Sequence, residues 1–298
     1  MIGEFLESWP LFQNAYLSGW FVGLLLSVLG VYVVARDQIF LGAALAQAST
    51  FGIALGLWLS GTCPTAVAAV CGCAHSDMLP LVLAVVASVL AALLTAREGG
   101  EGRESREALT GWIFLASSSM ALLLLFHSPH GTEEVQRLLA SSLLGAQGWE
   151  VWMYGGLAAV TMIVFVCARD RLALLAMDPV MASAVGLRTR IWNYALYAWL
   201  GLSIGLAIRS TGILYAFGCL VLPTLAARGF CRQIRSLFWV APMLFLLTAV
   251  PAFVLANHYD YPPAQFAVAL LAGVTVVGWV ARRCLPRAKN VERTSPSA

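Results

Sequence analysis

The sequence predicts an all-α polytopic membrane protein with about nine transmembrane helices, eight being the alternative count. Its N-terminus is placed outside and its C-terminus in the cytoplasm. Three observations predict this class. The chain is 60% hydrophobic and only 11% charged, with a mean hydropathy of +0.82, too little polar surface for a soluble domain. Apolar runs of about 20 residues, each long enough to cross roughly 30 Å of hydrocarbon as a helix, recur along the whole length. Finally, one threading of those runs puts sixteen of the eighteen Lys and Arg residues on one side.

The runs are Leu11–Ala35, Ile39–Leu59, Leu79–Ala96, Leu109–Phe126, Val151–Ala168, Ile191–Ile208, Gly212–Ala227, Leu237–Ala256 and Pro263–Ala281. With the N-terminus outside, successive inner loops carry Arg36; Arg97, Arg103 and Arg106; Arg169, Arg171, Arg188 and Arg190; Arg228, Arg232 and Arg235; and Arg282, Arg283, Arg287, Lys289 and Arg293. Only Arg137 and Arg209 fall outside. Cytoplasmic loops retain positive charge, and a missed or invented span would scramble the pattern. The basic residues are therefore topological anchors, and nucleic acid is not among the expected partners. Residues 1–285 form one transmembrane domain, with a polar, disordered cytoplasmic tail over 286–298. The first ten residues hold Glu4 and Glu7 but no Lys or Arg, so the first run lacks a signal-peptide n-region and is read as retained.

Between the runs, four segments stand out. Thr62–Ala74 is apolar but too short to span, and reads as an extension of the second helix or a re-entrant turn. Arg97–Glu107 is charged and Gly-rich, which predicts a mobile inner loop. Thr132–Leu144 sets Val135, Leu138, Leu139 and Ser142 on one helical face, as in a helix lying in the outer interface. Leu172–Arg190 is an apolar inner loop containing Asp178-Pro179 and ending in Gly186. Asp as cap, Pro at the first helical position and Gly closing predict a short helix. An exposed apolar helix there is suited to docking another protein; the plainer alternative is packing on the span ends.

Transport chemistry needs an energy source that this chain lacks. Its one lysine is Lys289, so no Gly-Lys-Ser/Thr phosphate loop exists. Ionisable residues are almost absent from the spans, against an ion-coupled carrier. Energy from a separate cytoplasmic subunit fits better. Gly201-Leu202-Ser203-Ile204-Gly205 matches a nucleophile-elbow spacing, but inside an apolar run its small residues read as helix packing. A polytopic enzyme or a passive channel remains the alternative class.

All four histidines fall outside: His75, His127, His130 and His258. Cys63, Cys71 and Cys73 fall there too, whereas Cys167, Cys219, Cys231 and Cys284 read as packing residues. Thiolate and imidazole suit soft or borderline divalent metals. Cys71, Cys73 and His75, with His127, His130 and His258, are thus candidate metal contacts at the entry rim. A disulfide to Cys63, or plain surface, is the competing reading.

Four motifs occur in order: Val31-Tyr32-Val33-Val34-Ala35-Arg36 with Phe40–Ala48 and Gly52–Gly56; Glu107–Gly111; Asp178–Leu187; and Thr211–Leu214 with Leu220–Pro223 and Ala226–Arg228. In these the chain resembles the permease subunits of ATP-binding-cassette importers for zinc, manganese and iron, over about Gly19 to Arg283. The resemblance implies a permease of the bacterial inner membrane that pairs with a second copy or a related permease. It further implies a cytoplasmic ATPase and an extracytoplasmic metal-binding protein as partners, with no permanently bound cofactor, a divalent metal ion as cargo and ATP entering only through the ATPase. It makes Asp178, Pro179, Ala182 and Gly186 the coupling helix, with Ala182 expected to face the docked ATPase. It also places Gln47, Ser49 and Thr50 on the translocation pathway. Where the family carries Asp and His in the second span, this chain has Ala43 and Gln47, and Gln47 still offers a carbonyl oxygen.

Overall fold

The computed structural model describes residues 2–62, 78–97, 103–126, 143, 146–231 and 233–284. Among these residues there are ten helices and no strand: α1 Ile2–Ala35, α2 Ile39–Thr62, α3 Met78–Arg97, α4 Arg103–Phe126, α5 Gly148–Met177, α6 Pro179–Ala184, α7 Thr189–Thr211, α8 Ile213–Phe230, α9 Ile234–His258 and α10 Pro263–Cys284. Nine, all but α6, are long and apolar enough to cross a membrane, and they coincide with the nine runs.

Two groups of helices build the bundle. α1 packs against α5, α8 and α9, and α10 closes on α8. α2 packs against α3 and α4, with α7 on α3. Burial ranks them: 78% of the α1 span is buried, against 22% for α4 and α5. α1 is the central post, while α4 and α5 present Trp112, Leu115, Leu123, Trp152 and Ile163 outward.

Lipid offers no hydrophobic drive between helices, so close backbone approach supplies the packing. Gly52 and Gly56 of α2 lie on the α3 backbone at Ala84 and Pro80, and Gly201 and Gly205 of α7 lie on Val89 and Val85 of the same helix. Polar side chains are spent locally or between helices. Thr161 Oγ1 donates to Leu157 O at 2.8 Å and accepts from Trp199 Nε1 at 2.8 Å. The Tyr215 hydroxyl donates to Gly19 O at 2.9 Å. Each bond removes a group that would otherwise sit unsatisfied in hydrocarbon.

Three arginine-bearing loops that the threading assigns to one side do meet. Arg36 Nη2 donates to Leu175 O at 2.9 Å, Arg228 Nη1 pairs with Asp37 Oδ1 at 3.5 Å, and Arg235 Nε pairs with Asp170 Oδ1 at 3.3 Å.

Several expectations change in detail. The apolar inner segment is not all loop: α5 continues to Met177 because Leu172, Ala173, Leu175 and Ala176 are buried. Its 30 residues span about 45 Å, more than the roughly 30 Å of hydrocarbon, so its buried last turns lie beyond the apolar layer. The charged loop is shorter than Arg97–Glu107, since α4 starts at Arg103; its Arg and Glu residues are good helix formers. Among the cysteines read as packing residues, Cys219 is buried but Cys167 is exposed. The Thr62–Ala74 segment beyond α2, nearly all of the Thr132–Leu144 helix and the 286–298 tail lie outside the described residues. Leu143, which is described, is buried near Gly19.

Candidate coupling helix and translocation pathway

α6 is built as its sequence dictates. Asp178 is the N-cap, with extended backbone, and its Oδ1 accepts from Val180 N and Met181 N at 3.0 Å each. Pro179 occupies the first helical position, where no N–H is needed. Gly186 follows at φ +85, in the left-handed region that closes helices without a Cβ penalty. Leu187 N then returns to Ala182 O at 3.1 Å. Replacing Asp178 with Ala should cost about 1 kcal/mol of local helix stability. Hydrogen exchange at the Val180 and Met181 amides should accelerate while exchange in α1 stays unchanged.

The faces of α6 differ from expectation. Ala182 is 0% exposed and points into the permease, not toward a docked partner. The outward surface belongs to Val180, Met181 and Val185, 78%, 54% and 66% exposed, with Met177 just before the cap. Exposed Arg171, Arg188 and Arg190 flank it in the chain. Six residues give too little periodicity to assign a face from sequence; the outward residues are those left once Ala182 is seated inward.

On α2, the three pathway candidates separate. Ser49 is buried, its Oγ donating to Gly205 O of α7 at 3.4 Å. Thr50 is buried and bonds back to Ala46 O of its own helix at 3.0 Å. Gln47 is half-buried, and among the described residues its amide makes no hydrogen bond. It alone of the three keeps its polar atoms available. Of the rim candidates, Cys71, Cys73, His75, His127 and His130 lie outside the described residues. His258 ends α9, half-buried, its ring edge-on to Tyr259 at 5.0 Å. Among the described residues no three His, Cys, Asp or Glu side chains gather as a metal site.

The Gly201–Gly205 motif is accounted for by packing. Both glycines sit against α3, and Ser203 is buried with its Oγ donating to Trp199 O at 2.8 Å. Ser203→Ala should leave transport and membrane insertion unchanged; loss of function with normal insertion would revive a nucleophilic role.

Comparison with known proteins agrees with this architecture. The chain is 23% identical to the chelated iron transport system membrane protein YfeD of Yersinia pestis, over 97% of this chain and 95% of that protein. It is 24% identical to the manganese transport system membrane protein MntB of Synechocystis, over 87% and 79%. Among solved structures, PsaBC from Streptococcus pneumoniae in complex with Fab superposes with a TM-score of 0.74 at 18% identity, covering 94% of this chain and 95% of that one. The family model for the ABC 3 transport family matches residues 8–282, and the chain belongs to that family.

Proposed function

We propose that the chain is the permease subunit of an ATP-driven importer of divalent transition-metal ions in the bacterial inner membrane, with manganese and iron first among cargoes and zinc next. The observation that carries the reading is α6, a capped helix with an exposed apolar surface at the arginine-bearing end of the bundle. In a family defined by transport, and in a chain without a phosphate loop, that surface is the place for a separate cytoplasmic ATPase to push. Its apolar knob between exposed arginines calls for a partner cleft that is apolar with an acidic rim.

An extracytoplasmic metal-binding protein would deliver the ion. A second permease, identical or related, would complete the pathway that Gln47 faces; Ser49 and Thr50 shape that stretch of α2 but have their hydroxyls committed. The test is reconstitution in liposomes with the ATPase, following radiolabelled manganese, iron and zinc. ATP-dependent uptake is the expected result. Flux without the ATPase would establish a passive channel instead, and no flux under either condition would end the reading.

Cys71, Cys73 and His75, with His127, His130 and His258, are proposed as the first contacts for the arriving ion, on the strength of their shared outer placement. Changing Cys71, Cys73 and His75 together to Ser, Ser and Ala should weaken apparent affinity for one metal and keep the maximal rate. Unchanged affinity for all three metals would move first contact to Gln47.

A further inference from the structure

We propose that the turn between α1 and α2 is the joint that carries movement of α6 to the pathway helix α2, with Arg36 as its positioning residue. The inference rests on the permease reading above and extends it to residues outside the coupling helix.

The joint starts from proline chemistry. In a continuous helix the Leu175 carbonyl would accept from the N–H four residues on, which is Pro179 and has none. The last such bond of α5 is therefore Asp178 N to Leu174 O, at 2.9 Å. The open Leu175 carbonyl is taken by Arg36 Nη2 at 2.9 Å, from 139 residues away in sequence. The extended backbone of Asp178 ends α5 there, so Pro179 starts α6 and cannot restore the lost bond, which leaves an acceptor at the α5–α6 junction for a cation from another helix. Such a charge-assisted bond is stronger than a neutral one. The guanidinium also lies over the Tyr32 ring, 4.9 Å from its centroid, and the Tyr32 hydroxyl donates to Asn193 Oδ1 of α7 at 3.0 Å.

Arg36 sits in a turn too tight to absorb movement. Asp37 N bonds to Val34 O at 3.1 Å and Gln38 N to Val33 O at 3.0 Å, with Asp37 at φ 56. That is a Schellman closure, with Asp in the left-handed position usually held by Gly. α2 begins one residue later, at Ile39. Two further helices grip the same turn. Arg228 of α8 donates to Val34 O and pairs with Asp37, and the Tyr197 hydroxyl of α7 bonds to Gln38 Oε1. A displacement of α6 is therefore passed to an elbow that has α2, and Gln47 two turns along it, as its far arm.

The test uses the permease with its ATPase in liposomes and reads ions moved per ATP hydrolysed. Arg36→Gln should keep ATP hydrolysis and ATPase binding while uptake falls at least about tenfold, a coupling loss within the usual allosteric range. Arg36→Lys, which keeps one cationic donor, should recover part of the ratio. An unchanged ratio in Arg36→Gln overturns the joint, as does loss of uptake and hydrolysis by one common factor. Pro179→Ala gives a second route that leaves Arg36 in place: with the proline gone α5 can continue through Asp178, and the restored N–H then competes for the Leu175 carbonyl. In the permease alone, without ATPase or cargo, it should speed hydrogen exchange at the Asp37 and Gln38 amides several-fold. Unchanged exchange there overturns the joint even if the transport reading stands. Failure of the wild-type complex to move any ion, with the exchange effect present, counts against the transport reading alone.

Discussion

Val180→Asp should abolish ATPase-dependent transport while leaving the permease folded, and Ala182→Arg should abolish it by a different route. Val180 is 78% exposed, so a carboxylate there stays in water and changes stability by no more than about 0.5 kcal/mol. It removes apolar contact area and brings negative charge to a surface flanked by arginines, against a partner expected to carry an acidic rim. Uptake should drop to background, and the ATPase should no longer co-purify. Ala182 is fully buried beneath the helix. An arginine in its place must either bury an unpaired cation, at about 3–5 kcal/mol, or lift α6 from its seat. Protease sensitivity near residues 178–188 should therefore rise in Ala182→Arg and not in Val180→Asp. Full co-purification and transport in Val180→Asp would show that α6 is packing surface only.

The nine spans were legible because hydrocarbon imposes a length and a composition that few other structures satisfy. The threading added which loops share a side, and the contacts of Arg36, Arg228 and Arg235 join three of those loops. α6 was legible from three cues within nine residues, Asp178, Pro179 and Gly186, because capping is local chemistry. The continuation of α5 through Leu172–Met177 was not, since an apolar stretch after Arg171 reads equally as loop or as helix. The inward face of Ala182 was not, because six residues carry too little periodicity.

The grip on the α1–α2 turn was least legible of all. Its bonds join residues 139, 159 and 194 positions apart, and no local pattern encodes them. A signal was present nonetheless: Asp37 between Arg36 and Gln38, directly between two apolar runs, is a helix stop and restart with no glycine. Such a turn requires outside partners to hold it. For the proposed pathway, the identity of Gln47 could be read but its availability could not. That depends on Ser49 and Thr50 having their own acceptors while the Gln47 amide has none among the described residues.

Gly30→Leu should prevent α1 from docking on α8 and yield no folded permease. α1 is the most buried helix, so its crossing with α8 sets the arrangement of the whole bundle. A Cβ at Gly30 would land on the carbonyl oxygen of Leu220, which is main chain and cannot rotate away. Even alanine must push the two helices apart. Overpacking of this kind costs about 1–3 kcal/mol, and more for leucine, whose larger side chain starts from the same clash. The Leu220 Cδ2 that a Cβ at Gly42 of α2 would strike belongs to the same residue, so displacing Leu220 disturbs the α2–α8 contact as well. Gly30→Ala should lower the thermal midpoint of detergent-solubilised protein by several degrees, and Gly30→Leu should run as aggregate on size exclusion. Gly273→Ala is the matched control. A Cβ there meets nothing within 4 Å, so only helix propensity acts, favouring alanine by up to about 1 kcal/mol. The two glycines share a helical backbone and differ in what stands opposite. Equal, small effects at both positions would mean that the α1–α8 crossing is not the close contact on which this fold is built.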